Sequence, residues 1–311
     1  MIHPKTSWRP RALVVAASIS AMLLAAAGCS SSGSAASQPS QVAPAVQKDA
    51  KLAAMLPASV REKGYLDVAS EIYPPAVMVS GEGTAPTGWD VETVRAVAET
   101  LGLQARFHIV PFDSIIPGLQ AGRYQAAAGE IFITPERTKV VTFVQDHVST
   151  DSLLVNTDNV ITAGTENALC GRALSVQVGS AEAALADSIA STCQSAGKPA
   201  LAVKTFQEEA AVNLSVYNGR ADAALGSTSQ VEYVLSKAAK GVFKMTELPW
   251  APKNAAGIAL ARNADTDQLA KALAAAVDKL IKDGTLRKIL DIYNGGLGAV
   301  DKATIVPAAG S

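Results

Sequence analysis

The chain has 311 residues, 49% of them hydrophobic and 18% charged, with a formal net charge of −1. That length supports two ordinary domains with a core in each. The composition is too apolar for a disordered chain and lacks the basic excess of a nucleic-acid binder, and three His with three Cys leave little material for a structural zinc site.

The first element is a leader. Lys5, Arg9 and Arg11 form a positive start, and Ala12 to Ala27 is an apolar run of about 16 residues, short for a membrane-spanning helix and suited to a secretory signal. It ends at Ala26-Ala27-Gly28-Cys29, which resembles the lipobox of bacterial lipoproteins, with Ala26 where Leu is usual. The resemblance implies cleavage before Cys29, lipidation of Cys29 and an extracytoplasmic protein anchored to the cell membrane. Cleavage would remove the three cations and take the formal charge from −1 to −4. Ser30 to Gln41 is rich in Ser, Ala and Gly and reads as a flexible tether.

From Tyr65 onward the chain alternates strands and helices. The pattern predicts a strand at 66–70, a helix capped by Asp90 with Val91, Val94, Val97, Ala98 and Leu101 on its apolar face, and a strand at 106–110. A helix at 112–120, a strand at 124–128 and a helix opened by Thr134-Pro135 follow. The second half repeats the pattern: strand 173–178 and a helix through Ala190, helix 208–217, strand 221–225, helix 229–239, strand 256–260, and helices 266–282 and 285–293. This alternation predicts an α/β protein with parallel sheets. Cys170 and Cys193, in one domain outside the cytoplasm, are expected to pair, closing a loop of about 22 residues worth on the order of 3 kcal/mol. Buried thiols or a metal pair are the alternatives.

There is no Walker loop, HExxH, GxSxG or strand-following GxGxxG. His108 and His147 read as structural. The sequence gives little support for an enzyme, and no cofactor or metal is expected. In open α/β sheets ligands bind beyond the carboxyl ends of the strands. The groups at those ends are Tyr73-Pro74-Pro75, Phe112, Gly129-Glu130 with Arg137 beyond, Gly179-Ser180 and Gly226-Ser227.

From about Arg61 to Pro307 the body resembles the polar amino acid-binding family of ABC-transporter solute-binding proteins, bacterial extracellular family 3. Tyr73-Pro74-Pro75, Gly88-Trp89-Asp90-Val91-Glu92, the run from Phe112 to Leu119, Ile133-Thr134-Pro135-Glu136-Arg137 with Thr142-Phe143, Val176 to Ser180, Asn218-Gly219-Arg220-Ala221-Asp222-Ala223, and Asp283-Gly284-Thr285 with Ile289-Leu290 carry it, in family order. The resemblance implies a periplasmic-binding-protein-like (type II) fold of two lobes joined by two hinge crossovers, with a ligand cleft between them. It implies lobe 1 at 61–150 plus 251–300 and lobe 2 at 151–250, which with the leader at 1–28 and the tether at 29–60 leaves a tail at 301–311.

The same resemblance implies a monomer that captures an amino acid or related small zwitterion, delivers it to a permease–ATPase complex and binds no nucleic acid. Arg137 matches the arginine that grips the ligand carboxylate, Tyr73 and Phe112 the aromatic walls, and Ser180 a carboxylate-binding hydroxyl. Trp89 and Asp90 read as staple and cap. The sequence departs from the family at Glu130 and Phe132, which with Gly129 occupy the strand-end ligand segment, and at Ser227, where an Asp usually meets the α-ammonium. Glu130 is expected either to pair with Arg137 or to face a ligand cation. A prephenate or arogenate dehydratase on the same fold, with Glu130 as acid, and a ligand-sensing lipoprotein for a signalling partner are the rival readings.

Overall fold

A computed structural model describes residues 44–81, 83–293 and 298–309. The leader, Cys29 and the first part of the expected tether lie outside the described residues.

Structure begins earlier than the tether reading allows. Asp49 accepts hydrogen bonds from the amides of Lys51 and Leu52 and so caps a short helix, α1 (Ala50–Ala53). Helix α2 (Ala58–Lys63) ends at Gly64, whose φ of 77° is the left-handed conformation that stops a helix. Leu56 and Val60 are buried in the first lobe's core, so the end of the 29–60 segment is folded rather than tether.

The chain then lays down β1 (Tyr65–Ser70), α3 (Trp89–Thr100), β2 (Gln104–Ile109), α4 (Ile115–Gln120) and β3 (Ala126–Ala127). Strand β1 runs parallel to β2 and β3. Helix α3 buries Val91, Val94, Val97 and Ala98, the face that the sequence spacing predicts. After β3 the expected helix at Thr134-Pro135 is only a 3₁₀ turn, Arg137–Lys139. Thr134 does accept from the Arg137 amide at 3.3 Å, but the turn is not continued, and the chain enters the next strand at Thr142.

That strand, β4 (Thr142–Ser149), leads through Thr150 into β5 (Asp151–Asn156), the first crossover between lobes. The second lobe continues with β6 (Ala173–Gln177), α5 (Ala181–Ser195), β7 (Ala202–Phe206), α6 (Glu209–Tyr217), β8 (Ala223–Ser227), α7 (Thr228–Lys237) and β9 (Phe243–Glu247). The chain returns in β10 (Asn254–Leu260) and ends with α8 (Thr266–Lys282), α9 (Thr285–Ile292) and β11 (Gly298–Val306).

The first sheet has the order β11-β4-β10-β3-β1-β2 and the second β7-β6-β8-β5-β9. They are mixed, not parallel: β4 pairs antiparallel with β10 and β11, and β5 with β8 and β9. Crossing strands enter a sheet directly from the other lobe, so no crossover helix forces them parallel. Residues 301–306, expected in a tail, lie in β11 against β4, with Ala303 buried.

Cys170 and Cys193 form a disulfide that ties the start of β6 to α5, with Cα atoms 5.5 Å apart. Cys193 lies in the second lobe's core with Leu169, Leu174 and Ile189. Replacing both cysteines by alanine is expected to lower stability by about 3 kcal/mol. Urea unfolding checks this, and an unchanged midpoint would refute it.

Candidate functional site

The lobes meet along a cleft at the carboxyl ends of β1, β2, β3, β6 and β8. The loop after β1 supplies Glu71 and Tyr73, the loop after β2 supplies Phe112, and the segment after β3 supplies Glu130 and Arg137. From the second lobe come Gln177, Ser180 and Glu182 at the β6–α5 junction, Glu209 at the start of α6, and Ser227, Ser229 and Gln230 at the β8–α7 junction.

Direct contacts close the cleft. Tyr73 Oη donates to Ser227 Oγ at 3.2 Å and accepts from the Ser227 amide at 3.1 Å. Glu130 accepts from the hydroxyls of Ser227 and Ser229, both at 3.0 Å, and from Ser149 at 2.7 Å. Gln177 donates to Glu71 at 2.8 Å, and Arg137 Nη2 donates to the Gly179 carbonyl at 3.2 Å. A cavity of about 410 Å³ opens beside the hinge and shares Ser149 and Ser229 with the Glu130 cluster.

Glu130 does not pair with Arg137; its partners are the three serine hydroxyls. Its backbone is left-handed, with φ 55°, a conformation that costs a non-glycine residue about 1–3 kcal/mol. Asp90 holds it there. Its Oδ2 accepts the amides of Gly129 at 2.6 Å and Glu130 at 2.8 Å. Asp90 is therefore a latch between α3 and the loop after β3, not a helix cap: the N-cap is Gly88, with no side-chain cap bond. Trp89, expected as a staple, is buried with its ring edge-on to His147 at 4.5 Å. Asp90→Ala is expected to strand two buried amides and cost about 2–5 kcal/mol. Thermal unfolding checks it, and a loss under 0.5 kcal/mol would contradict the latch.

Arg137 is buried beneath the cleft. Nη1 donates to the Phe132 carbonyl at 2.7 Å, and the guanidinium lies 5.1 Å from the Phe112 ring centre. Phe132 thus contributes its carbonyl while its side chain is buried, and the Gly129 amide is spent on Asp90. Ser180 and Ser227 are both helix N-caps: Ser180 accepts from the Ala183 amide and Ser227 from the Gln230 amide. His147 is buried with Nδ1 2.5 Å from Asp146. His108 is a surface partner of Asp67.

Most of the cleft's acids were not read from the sequence. Glu71, Asp151, Glu182 and Glu209 are buried together with Glu130. Burial pushes Glu71 up to about 8, against the hydrogen bond from Gln177. Burial, then the charge of Glu182, raises Asp151 to about 8. Burial, with Glu182 and Glu71 nearby, puts Glu209 well above the ordinary carboxyl range. Burial also raises Glu130, although the His147 charge and the serine hydroxyls oppose it. Among the described residues, Glu71 Oε1, Asp151 Oδ1 and Gln230 Oε1 are buried without a hydrogen-bond partner. Local sequence carries no signal for this cluster, because its members lie far apart in the chain.

Two lobes on mixed sheets, closing over a polar cleft at their strand ends, define a solute-binding protein. The chain belongs to the bacterial extracellular solute-binding proteins, family 3, whose model matches residues 66–296. It is 27% identical over 224 residues to the L-arginine-binding protein of Pseudomonas aeruginosa, covering 71% of this chain and 84% of that one. Among solved structures, an ancestral arginine-binding protein bound to glutamine is 25% identical with a TM-score of 0.65, covering 75% of this chain and 98% of that one. An ancestral amino acid-binding protein described as a precursor of cyclohexadienyl dehydratase shares the fold, at 24% identity and a TM-score of 0.65, covering 76% and 97%.

Proposed function

We propose that this protein is the solute-capturing component of an ABC importer, held outside the cell membrane by lipidated Cys29, and that its ligand is an amino acid or related small solute bearing a cationic group. The acceptor surplus of the cleft carries this reading. The buried carboxyls of Glu71, Glu130, Asp151, Glu182 and Glu209 outnumber the buried basic side chains among the described residues, Arg137 and His147. A buried acid without a countercharge is costly, and a ligand cation relieves that cost. Tyr73, Phe112, Glu130 and Ser227, with Glu71, Glu209 and Gln230, form the ligand-facing set, while Gly129, Phe132, Arg137 and Ser180 build the floor. The name of the L-arginine-binding relative agrees with a cationic ligand.

Calorimetry against cationic, neutral and acidic solutes of amino-acid size tests the reading. Cationic solutes are expected to bind best, and a preference for glutamate or leucine overturns it. For the anchor, wild type is expected in the membrane fraction and Cys29→Ser in the soluble one. A dehydratase is disfavoured because prephenate carries two carboxylates into an acidic cleft. Incubation with prephenate is expected to yield no phenylpyruvate.

Binding is also expected to release protons. In the closed, unliganded form Glu71 and Asp151 titrate near pH 8 and hold protons at neutral pH that the unfolded chain has lost. Their contribution to unliganded stability therefore falls as pH rises from the ordinary carboxyl range toward 8. A bound cation lowers both values. Titrations at pH 7 in buffers of different ionisation enthalpy are expected to show net proton release, on the order of one proton or more per ligand, and zero release refutes the coupling.

A further inference from the structure

Helix α7 presents two different faces. Val231, Val234 and Leu235 pack into the second lobe with Leu154 of β5 and Ala224 of β8. Ser229, Glu232, Tyr233 and Ser236 recur at the spacing of one helical stripe and line the cavity of about 410 Å³ beside the hinge. The first lobe and the crossovers supply the rest of the wall, through Tyr293 just past α9, Thr150 and Lys253. These walls are bonded to the framework. Tyr293 Oη accepts from the Gly88 amide at 3.2 Å, and the Ser236 hydroxyl donates to the Tyr233 carbonyl at 2.7 Å. Thr228, where α7 starts, is tied to Thr150 twice, by its amide on the Thr150 carbonyl at 2.7 Å and by their hydroxyls at 2.9 Å.

The volume falls within the range of small-molecule sites, about 300–1,000 Å³. Its border with the cleft is Ser149 and Ser229, whose hydroxyls donate to Glu130 at 2.7 and 3.0 Å. Two charges decide its chemistry. Lys253 from the crossover and Glu232 from α7 line the same space, and both are exposed. Among the described residues they form no ion pair with each other or with any other group. Their charged ends therefore stand more than 4.0 Å apart. One molecule carrying both signs can engage both, each through a charge-assisted hydrogen bond. A neutral polyol would leave both charges unused, and a singly charged ligand would meet one charge of its own sign. The rings of Tyr233 and Tyr293 add flat apolar surface for the chain between the two ends.

We propose that this cavity is a second ligand site, distinct from the cleft, for a small zwitterion with its ammonium at Glu232 and its carboxylate at Lys253. The proposal stands whatever the cleft binds. Calorimetry of the wild-type protein with glycine, β-alanine, γ-aminobutyrate and 5-aminovalerate tests it. At least one of the three longer zwitterions is expected to bind, because the two charges they must reach are set apart. Lys253→Met and Glu232→Gln are each expected to weaken that binding tenfold or more, and Ser236→Trp to abolish it by filling the cavity. All three positions are exposed, and melting curves check that the variants fold. Failure of all four zwitterions to bind overturns the proposal. Binding within threefold of wild type in Lys253→Met or Glu232→Gln overturns the zwitterion class, and in Ser236→Trp it removes the bound molecule from this cavity.

Discussion

Glu209→Gln is expected to weaken a cationic ligand by about 2–5 kcal/mol, roughly 30-fold to several thousand-fold, without loss of fold. Glu209 opens α6, is buried, and bonds Asn213 at 3.2 Å through Oε1, the oxygen that also faces Gly226. Burial and the neighbouring Glu182 and Glu71 make its charge costly in the unliganded protein. The amide keeps the shape and removes that cost, so the variant's unliganded stability is expected to stay level or rise. Binding moves the other way, because the charge that a ligand cation would pair with is gone. A merely structural carboxyl would lose stability and leave binding alone. Calorimetry and thermal unfolding of the same preparation separate the two, and binding within threefold of wild type would remove Glu209 from the site.

Gly226→Leu is expected to reduce binding by more than 100-fold by filling the space between the acceptors. Gly226 is buried in β8, and its missing side chain leaves the gap bounded by Gln230, Glu209 and Tyr73. The nearest atom to an added Cβ is the end of the flexible Gln230 side chain, at 3.0 Å. Gly226→Ala is therefore expected to fold normally and to bind with a smaller loss. The bulk of leucine must displace Tyr73 or Glu209 as well, at a stability cost of about 1–3 kcal/mol. A leucine variant that binds within threefold of wild type would show that the ligand does not use this space.

Glu209 is marked by no motif and Gly226 only by its place at a strand end, and this divides what local sequence can determine from what it cannot. Helix α3 is legible because the spacing of Val91, Val94 and Val97 requires a helix wherever it lies, and α8 for the same reason with Leu269, Leu273 and Leu280. The pairing of Cys170 with Cys193 is legible because an exported domain leaves two cysteines few other fates. The family and its two-lobe fold are legible because motifs in a fixed order span most of the body.

Strands β4, β5, β9 and β11 escape because their residues acquire strand partners only across the sheet, and the alternation of helix and strand misreads mixed sheets as parallel. Asp90 escapes because a short acid at a helix start serves equally as a cap or as an anchor for another loop. Only the approach of Gly129 and Glu130 decides between them. The acidic cleft escapes most completely. Glu71 meets Gln177 and Glu130 meets Ser227 and Ser229 only when the two lobes close. The sequence by itself determined the periodic elements, the covalent tie and the lineage, since each rests on residues near in the chain or fixed in order. The tertiary structure alone decided which charges share one buried volume, because the electrostatic cost of a carboxylate depends on what surrounds it in space.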